Sequence, residues 1–456
     1  MISKNIIQND RFLAKVNVEM TPEIASSLGA VYGTYLNNDG VIAVARDYRQ
    51  DSRMLKRAFT AGAMSAGIKI LNLLAVPTPV LQFVIKKFGI DGGAMFSSAH
   101  NTKENIVFKI YEPAGIEFRA KKIEDLYNNY LKSKITRVSP KRIGSITSAE
   151  NVMDVYQGAI TQLIDIDRIY DARLIIVADC ADGPLGKVLT PIINKLKIDS
   201  ILLNTQEPDL DQILPNLNSI SRVSKIIRTS EANLGICFDT DGSKAVFLDE
   251  NGNYIESDDL LTLFISELIE SPSSQKKVVA TKSTTKIIDE MLKKVNGSVT
   301  RVENRPGSVS SLLRFGRYDF GASDSGKYRF PEYAPFSDTV LTTLKILELI
   351  VKKNLKISEL IQRVPKSIKI YKELSVERDI LESFVLKIAQ NLEEHVENYK
   401  LIDTLVGIKI FLGVDKGWIN INPHLDQNLL LISAESSDKK YIQEIFKILE
   451  DIVLEN

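Results

Sequence analysis

The stretch that decides the fold is residues 235–255, GICFDTDGSKAVFLDENGNYI. A short apolar run turns through Asp239 and Asp241 into a second apolar run, which ends in a DENGN turn signal. Short apolar runs bounded by turn residues predict β-strands. Similar runs recur along the chain and alternate with stretches whose apolar residues lie three or four positions apart, which predict helices. Strands alternating with helices predict βαβ units and mainly parallel sheets.

The length predicts several domains, because 456 residues exceed what one hydrophobic core usually organises. Three similar α/β blocks with mixed or parallel sheets fit before residue 368, and the remaining tail combines helices with short strands. The predicted fold class is therefore α/β, with a smaller C-terminal α+β domain. The predicted domain bounds are 1–145, 146–256, 257–368 and 369–456.

The charge balance argues against two classes of partner. Lys+Arg and Asp+Glu number 58 each, so neither nucleic acid nor a membrane surface is expected as the main partner. No apolar run is long enough to span a bilayer, and the first residues lack the apolar core of a signal peptide, so we expect a cytoplasmic protein. Cys180 and Cys237 lie in or beside apolar runs; buried free thiols are expected, with a disulfide as the alternative.

Four loops contain the residues best suited to chemistry. Asp239 and Asp241 suit a hard cation such as Mg²⁺, and the alternative is a turn closing a β-hairpin. The stretch SSAHNTKENIVFK (97–109) combines serines, a histidine and a lysine in a polar loop. FGASDSGKYRFPEY (320–333) is a weaker candidate for a hydroxylated ligand, and CADGPLGK (180–187) reads best as a tight strand-to-helix turn.

Taken together, these stretches resemble the α-D-phosphohexomutase family, which includes phosphoglucomutase and phosphomannomutase. SSAHNT falls on the family's TASHNP loop, DTDGSK on its DGDGDR metal loop and SDSGK on its GEXSGH sugar loop. INPHLDQN (421–428) falls on the RPSGTEPK phosphate loop. The resemblance implies four domains around a central cleft. It also implies transfer of phosphate between positions 1 and 6 of hexoses such as glucose or mannose, through a phosphoserine and a Mg²⁺ held by three aspartates.

The serine loop departs from the family at the nucleophile. Ala99 stands where the family has its phosphoserine, and alanine has no group to phosphorylate. His100 and Lys109 match the family, and Ser98 is the nearest candidate acceptor. Because adjacent side chains in an extended loop point in roughly opposite directions, Ser98 would misplace the reacting oxygen unless the loop shifts its register.

The other three loops depart as well. At the metal loop Asp239 and Asp241 match, but Ser243 takes the third aspartate's place, so Mg²⁺ binding is expected to be weakened. In the same loop Lys244 replaces the family's arginine. At the sugar loop Ser325 matches, whereas Ser323 replaces glutamate and Lys327 replaces histidine. At the phosphate loop arginine, serine and threonine are replaced by Asn422, His424 and Asp426, respectively. The family's amino-terminal arginine has no clean counterpart in RFLAKVNVE (11–19).

These linked departures predict a family member with impaired or absent mutase turnover. We expect it to bind a sugar phosphate or a related metabolite, or to regulate an active mutase as a partner subunit; a homo-oligomer is the other assembly considered. One alternative is an active phosphoglucomutase or phosphomannomutase that uses Ser98. A further alternative is a different reaction in the same cleft, which the fold alone does not exclude.

Overall fold

The protein is described from a computed structural model. The residues that the structure describes are 6–8, 10–98, 104–149, 151–205, 217–272, 275–323, 326–365, 369–375, 385, 387–388, 390–392, 400–403, 408–412, 417–424, 429–436 and 438–454.

The first domain is a mixed sheet with helices packed on it. Its strands run in the order β1-β2-β6-β5-β3-β4-β8, and β7 pairs with β6. The strands are β1 (Ile7–Gln8), β2 (Arg11–Lys15), β3 (Val41–Arg46), β4 (Lys69–Ala75), β5 (Gly92–Ser98), β6 (Asn105–Glu112), β7 (Ile116–Glu117) and β8 (Ile146–Ser148). The helices are α1 (Pro22–Tyr35), α2 (Gln50–Ser65), α3 (Thr78–Lys87) and α4 (Ala120–Leu131). Strand β8 lies beyond residue 145 and still pairs with β4 in this sheet.

Glycines set the spacing between α1 and α2. A Cβ added to Gly29 would lie 2.1 Å from the Phe59 carbonyl oxygen, and one added to Gly62 would lie 1.8 Å from the Ser26 carbonyl oxygen. Both distances are below any van der Waals contact, so only glycine allows the two backbones to approach this closely. The helices thereby form one tight layer over the sheet.

The second domain has a sheet of order β10-β9-β11-β12-β13. Its strands are β9 (Ile175–Asp179), β10 (Asp199–Leu203), β11 (Leu234–Phe238), β12 (Ala245–Leu248) and β13 (Tyr254–Ile255). Its helices are α5 (Val152–Thr161), α6 (Ile166–Ala172), α7 (Leu185–Lys195) and α8 (Leu217–Ser230). Strand β9 is parallel to β10 and β11, whereas β12 returns antiparallel to β11.

The third domain repeats this arrangement with the order β15-β14-β16-β17. Its strands are β14 (Lys277–Thr281), β15 (Ser298–Val302), β16 (Phe320–Ser323) and β17 (Lys327–Arg329). Its helices are α9 (Ser257–Glu270), α10 (Ile287–Lys293), α11 (Ser308–Leu313), α12 (Thr339–Lys353) and α13 (Ile357–Arg363).

The C-terminal domain is an antiparallel sheet of order β18-β22-β21-β20-β19 with a final helix. Its elements are β18 (Lys369–Ser375), β19 (Lys400–Asp403), β20 (Ile408–Phe411), β21 (Trp418–His424), β22 (Leu429–Glu435) and α14 (Lys439–Leu454). The predicted fold class, three α/β domains with mixed sheets and a smaller C-terminal domain, is confirmed.

The hydrophobic core joins the first three domains. One continuous cluster of buried residues includes Phe83 of the first domain, Phe238 of the second and Phe320 of the third. The C-terminal domain has a separate core that includes Ile410 and Leu449. Within the described ranges, no helix is both long and apolar enough to cross a membrane.

Candidate active site

The three α/β domains present their candidate loops at the same topological position. In each sheet a strand that is parallel to its inner neighbour is followed by an antiparallel return strand: β5 and β6, β11 and β12, and β16 and β17. The connections are residues 99–104, 239–244 and 324–326. The serine-loop, metal-loop and sugar-loop stretches of the sequence therefore occupy equivalent hairpins of three similar sheets.

The second-domain loop is held in place through its backbone by the other two domains. The Thr78 amide donates to the Asp241 carbonyl at 2.7 Å, and the Thr339 hydroxyl donates to the Gly242 carbonyl at 2.7 Å. The Ser337 hydroxyl donates to the Ser243 carbonyl at 3.3 Å. Gly242 has a φ of +70°, which favours glycine, so this tight turn is fixed where the three domains meet.

The two predicted carboxylates of this loop are both buried and hydrogen-bonded. Asp239 accepts from the Lys244 amide at 2.9 Å and from the Ser243 hydroxyl at 3.1 Å. Asp241 accepts from the Ser243 amide at 3.0 Å. Burial, with the Asp241 charge beside it, raises the pKa of Asp239 to about 7. Two buried carboxylates this close favour a cation between or beside them.

Lys109 provides such a cation from the first domain. Its ammonium group forms an ion pair with the Asp241 carboxylate, and the two side chains are only 6% and 3% exposed. The pair brings together two residues that are 132 positions apart in the sequence. The structure therefore places the family-matching lysine directly on the metal loop.

The described oxygen donors fit a magnesium site only in part. Mg²⁺ prefers six oxygen ligands, often one or two carboxylates with water and phosphate. Asp239, Asp241 and the Ser243 hydroxyl are donors of the right type, but the Lys109 ammonium already neutralises Asp241. No group of three His, Cys, Asp or Glu side chains suited to a metal ion occurs among the residues that the structure describes.

Ser98 lies on the face of the sheet opposite to Lys109. In the β5–β6 ladder Ser98 pairs with Ile106, while Lys109 pairs with Met95. Side chains alternate between faces along a strand, so Ser98 and Met95, three positions apart, point to opposite faces. The Ser98 amide also donates to the buried Asp47 carboxylate at 2.7 Å, which fixes its backbone.

The sequence did not identify an arginine–glutamate ion pair at the site. The Arg11 guanidinium forms a two-pronged ion pair with Glu117, in which Nη2 donates to Oε2 at 2.8 Å. Burial favours the neutral acid, but Arg11 outweighs it, so the pKa of Glu117 is lowered. Arg11 begins the RFLAK strand, in which no clean counterpart of the family arginine was expected. Only the pairing of β2 with β6 brings it to the site.

Lys244 and Lys327 lie on neighbouring loops of the second and third domains. Lys327 pairs with the buried Ser323 in the β16–β17 hairpin. A Cβ added to the neighbouring Gly326 would lie 3.1 Å from the Ala245 carbonyl oxygen, so this hairpin touches the residue after Lys244. Burial lowers the pKa of both amines. The positive charges of Arg11 and Lys109 lower both further and that of Lys244 also lowers the pKa of Lys327, whereas Asp239 acts in the opposite direction on Lys244 and Glu117 on Lys327.

Several predicted site residues lie outside the described residues: Ala99, His100, Ser325 and Asp426. Asn422 and His424 lie on β21, where their backbones pair with Leu431 and Leu429 of β22.

Comparison with known protein families and with relatives is consistent with this architecture. Residues 9–136, 154–252 and 256–368 match the profiles of phosphoglucomutase/phosphomannomutase alpha/beta/alpha domains I, II and III, respectively. The chain is 28% identical over 447 residues to a phosphoglucomutase/phosphomannomutase of Thermococcus kodakarensis, which covers 95% of this chain and 96% of that protein. It is 26% identical over 462 residues to a probable phosphoglucosamine mutase of Methanobrevibacter smithii, over the full length of both chains.

Solved structures share the fold. A phosphoglucomutase/phosphomannomutase family protein from Burkholderia thailandensis superposes with a TM-score of 0.75 at 20% identity, covering 99% of this chain and 98% of its own. A phosphomannomutase homologue from Thermus thermophilus superposes with a TM-score of 0.76 at 17% identity, covering 99% and 100%. With three matching domain profiles in the expected order and relatives aligned over nearly the whole length, the chain belongs to the α-D-phosphohexomutase family.

Proposed function

We propose that this protein binds a sugar phosphate at the junction of its first three domains and does not carry out mutase turnover. The observation that supports this most directly is the placement of hydroxyl groups around Lys109. The family's nucleophile position is Ala99, and Ser98 lies on the opposite face of the sheet from Lys109. Ser97 shares the Lys109 face but is only 1% exposed, which leaves no room for a phosphoryl group.

The ligand class follows from the family, whose members act on sugar phosphates. Phosphoglucomutase, phosphomannomutase and phosphoglucosamine mutase are the activities in the names of the relatives, so glucose, mannose and glucosamine phosphates are the ligands to test first. Arg11, Lys109, Lys244 and Lys327 are the basic side chains nearest this junction. Arg11 and Lys109 are each paired with a carboxylate, and burial lowers the pKa of Lys244 and Lys327, so a bound phosphate would favour the charged forms of these two lysines.

A divalent cation such as Mg²⁺ would be held by Asp239, Asp241 and the Ser243 hydroxyl. When bound, it would supply positive charge for phosphate oxygens. The chain's own residues limit its affinity, because Lys109 must release Asp241 before that carboxylate can bind the ion. Weak Mg²⁺ binding is therefore part of this proposal.

The test is a mutase assay combined with a binding measurement on the same preparation. Glucose 1-phosphate, mannose 1-phosphate and glucosamine 1-phosphate are each supplied with Mg²⁺ and the corresponding 1,6-bisphosphate, and the Thermococcus kodakarensis relative serves as the active control. We expect no 6-phosphate at high protein concentration, together with saturable binding of at least one sugar phosphate by calorimetry. Turnover comparable to that of the control would overturn the proposal, and so would the absence of all binding.

The same assay addresses the alternative of an active mutase that uses Ser98. If any turnover appears, mass spectrometry should locate phosphate on the acceptor, and Ser98→Ala should abolish both the phosphate and the activity. A regulatory role would instead appear as co-purification with an active mutase. Assembly as a homo-oligomer and the cytoplasmic location remain predictions.

A further inference from the structure

A buried lysine of the first domain has a neutral hydrogen-bond partner. Lys56 lies on α2 and is 5% exposed, and its ammonium group donates to the side-chain oxygen of Asn72 on β4 at 2.5 Å. The Leu74 amide donates to the same oxygen at 3.2 Å, which fixes the Asn72 side chain. Within the described part of the chain this is the one hydrogen bond of an ammonium group that has three N–H donors. A buried ammonium with a neutral partner is unfavourable unless an anion reaches it.

Two exposed arginines lie beside this lysine on α2. Arg53 precedes Lys56 by three positions and Arg57 by four, and side chains at these spacings are neighbours on a helix surface. The three side chains therefore form a strip that runs from the exposed face of α2 toward the sheet beneath it.

A third arginine approaches the strip from β3. Val44 is the ladder partner of Asn72 and packs in the core that α2 covers. Arg46 follows Val44 by two residues, so its side chain lies on the same face of the sheet, toward α2. Burial, together with the positive charges of the three arginines, lowers the pKa of Lys56 to about 8. We call Arg46, Arg53, Lys56 and Arg57 the α2 cationic cluster.

The acidic residues next to the α2 cationic cluster in the sequence are engaged elsewhere. Asp51 forms an ion pair with Arg49. Asp47 is fully buried and accepts hydrogen bonds from the backbone amides of Arg49 and Ser98, at 3.0 and 2.7 Å. Among the residues that the structure describes, no carboxylate forms an ion pair with the lysine of the cluster or with its two exposed arginines. The cluster therefore carries positive charge that these carboxylates do not balance.

The segment 132–142 adds positive charge along the same helix. The Val138 amide donates to the Ser65 carbonyl oxygen at 3.1 Å, and the Arg137 guanidinium donates to the Ser65 hydroxyl at the end of α2. Between positions 132 and 149 the sequence has no Asp or Glu, and its basic residues there are Lys132, Lys134, Arg137, Lys141 and Arg142. Because the whole chain has no net charge, this surface is locally positive, which raises the local concentration of anions.

We infer that the α2 cationic cluster is an anion-binding site that shares no residue with the candidate active site, and that its ligand carries two or more linked phosphates. Guanidinium and ammonium groups donate charge-assisted hydrogen bonds to phosphate oxygens. From Arg53 to Arg57 the cluster extends about 6 Å along the helix axis, and it continues to the end of β3. This extent suits a chain of linked phosphates better than a single ion. Inorganic polyphosphate and nucleoside triphosphates share this chemistry, so the test includes both.

The test measures calorimetric affinities of the full chain for sodium tripolyphosphate and adenosine triphosphate, without divalent cations and at constant ionic strength. Sodium sulfate serves as the control anion. We expect at least one of the two phosphate ligands to bind about tenfold or more tightly than sulfate, and Arg53→Gln and Arg57→Gln each to weaken that binding about tenfold. Affinity for glucose 1-phosphate should not change in either variant. Lys121→Gln, on the exposed side of α4 in the same domain, should bind every ligand as the wild type does.

Lys56→Met tests the buried ammonium group separately. Because an apolar side chain of similar length replaces a buried charge, the thermal midpoint without phosphate should rise, and the further rise that tripolyphosphate gives the wild type should be lost. A lower midpoint with an unchanged response to tripolyphosphate would assign Lys56 a purely structural role and overturn the inference.

Two other results would also overturn the inference: equal affinities for sulfate and both phosphate ligands, or phosphate binding that neither arginine variant weakens. The proposed function would stand in each case, because its ligands are measured through glucose 1-phosphate and the other sugar phosphates. Failure of every sugar phosphate to bind, with tripolyphosphate binding intact, would overturn the proposed function alone.

Discussion

Asp241 is neutralised by an ammonium group from another domain. Lys109 and Asp241 form a buried ion pair, and Ser243 donates its hydroxyl to Asp239. Removing a buried charge from such a pair is costly, so a metal ion must compete with Lys109 for Asp241. On the proposal that this loop holds a divalent cation, the neutral side chain at position 243 limits the negative charge available to that cation.

We predict that Ser243→Asp strengthens Mg²⁺ binding. Three buried carboxylates repel one another without a cation, so the variant should be less stable than the wild type in EDTA and should recover with Mg²⁺. The measurement is the thermal midpoint over a Mg²⁺ titration. Ser298→Asp, which adds the same charge at an exposed position, should show no such recovery. A Mg²⁺ response equal to that of the wild type would contradict the prediction.

The residue types of the site could be predicted from the sequence, but many of their contacts could not. Asp239 and Asp241 stand together in one loop, so their cooperation is visible in the sequence. The Lys109–Asp241 and Arg11–Glu117 pairs join residues 132 and 106 positions apart, respectively. Such contacts depend on strand order and on how domains pack, which local patterns do not encode. For this reason Arg11 was not recognised as a site residue.

At the scale of elements, α12 begins at a buried carboxylate that packs between domains. Asp338 caps the helix by accepting from the Val340 and Leu341 amides, and the Tyr156 hydroxyl of α5 donates to it at 2.8 Å. Burial raises the pKa of Asp338 to about 6. The folded protein therefore holds this proton more tightly than the unfolded chain, in which the carboxyl has its ordinary lower pKa.

We predict that lowering the pH from 7 to 5 stabilises the fold through Asp338. Because the pKa of Asp338 is higher in the folded state, the folded form takes up the proton first as the pH falls. The resulting gain in the free energy of unfolding is lost again as the pH rises through 6. Asp338→Asn keeps a capping side chain and should reduce the gain by roughly 1 kcal/mol. The pKa values of Asp47 and Asp239 are also raised, so the variant should keep part of the wild-type dependence of stability on pH.

The measurement is the urea midpoint at pH 5 and pH 7. Asp125→Asn on the exposed side of α4 should keep the full wild-type difference between the two pH values. An Asp338→Asn protein with that same full difference would show that the capping carboxylate does not titrate as described.

Strands and helices followed from the sequence more reliably than their pairing did. The alternation of apolar runs predicted the α/β class, because burial on both faces of a sheet requires apolar strands. It did not reveal that β8 extends the first sheet beyond residue 145, since a three-residue strand with exposed side chains leaves no apolar signal. Such an edge strand is defined by its partner β4 alone.

At the scale of the whole molecule, the C-terminal domain is anchored to the third domain by a buried ion pair. The Lys409 ammonium lies 3.1 Å from the Asp258 carboxylate, and both side chains are 4% exposed. The same ammonium lies 3.9 Å from the ring centroid of Trp418, the one tryptophan of the chain. Ser433 and Glu435 add hydrogen bonds to Glu256 and to the Lys286 amide.

We predict that Lys409→Met loosens this domain contact, because Asp258 would keep a buried charge without its partner. The free energy of unfolding should fall by about 3 kcal/mol, and the double variant Lys409→Met/Asp258→Asn should recover much of this loss. Trp418 fluorescence during urea denaturation reports the change at the contact itself. Lys447→Met, on the exposed side of α14, is the matched control and should behave as the wild type. Equal losses in the single and double variants would exclude the ion pair as the cause.

The hydrogen bonds that hold the backbone of the metal loop have a consequence for protein engineering. Thr78, Ser337 and Thr339 hold the loop by its carbonyl oxygens, and Gly242 supplies the turn, so these contacts do not use the side chains of residues 243 and 244. Side chains of similar size can therefore be exchanged there while these backbone contacts remain. A combinatorial library at positions 243, 244 and 327 would sample new ligand specificities on a backbone that stays fixed.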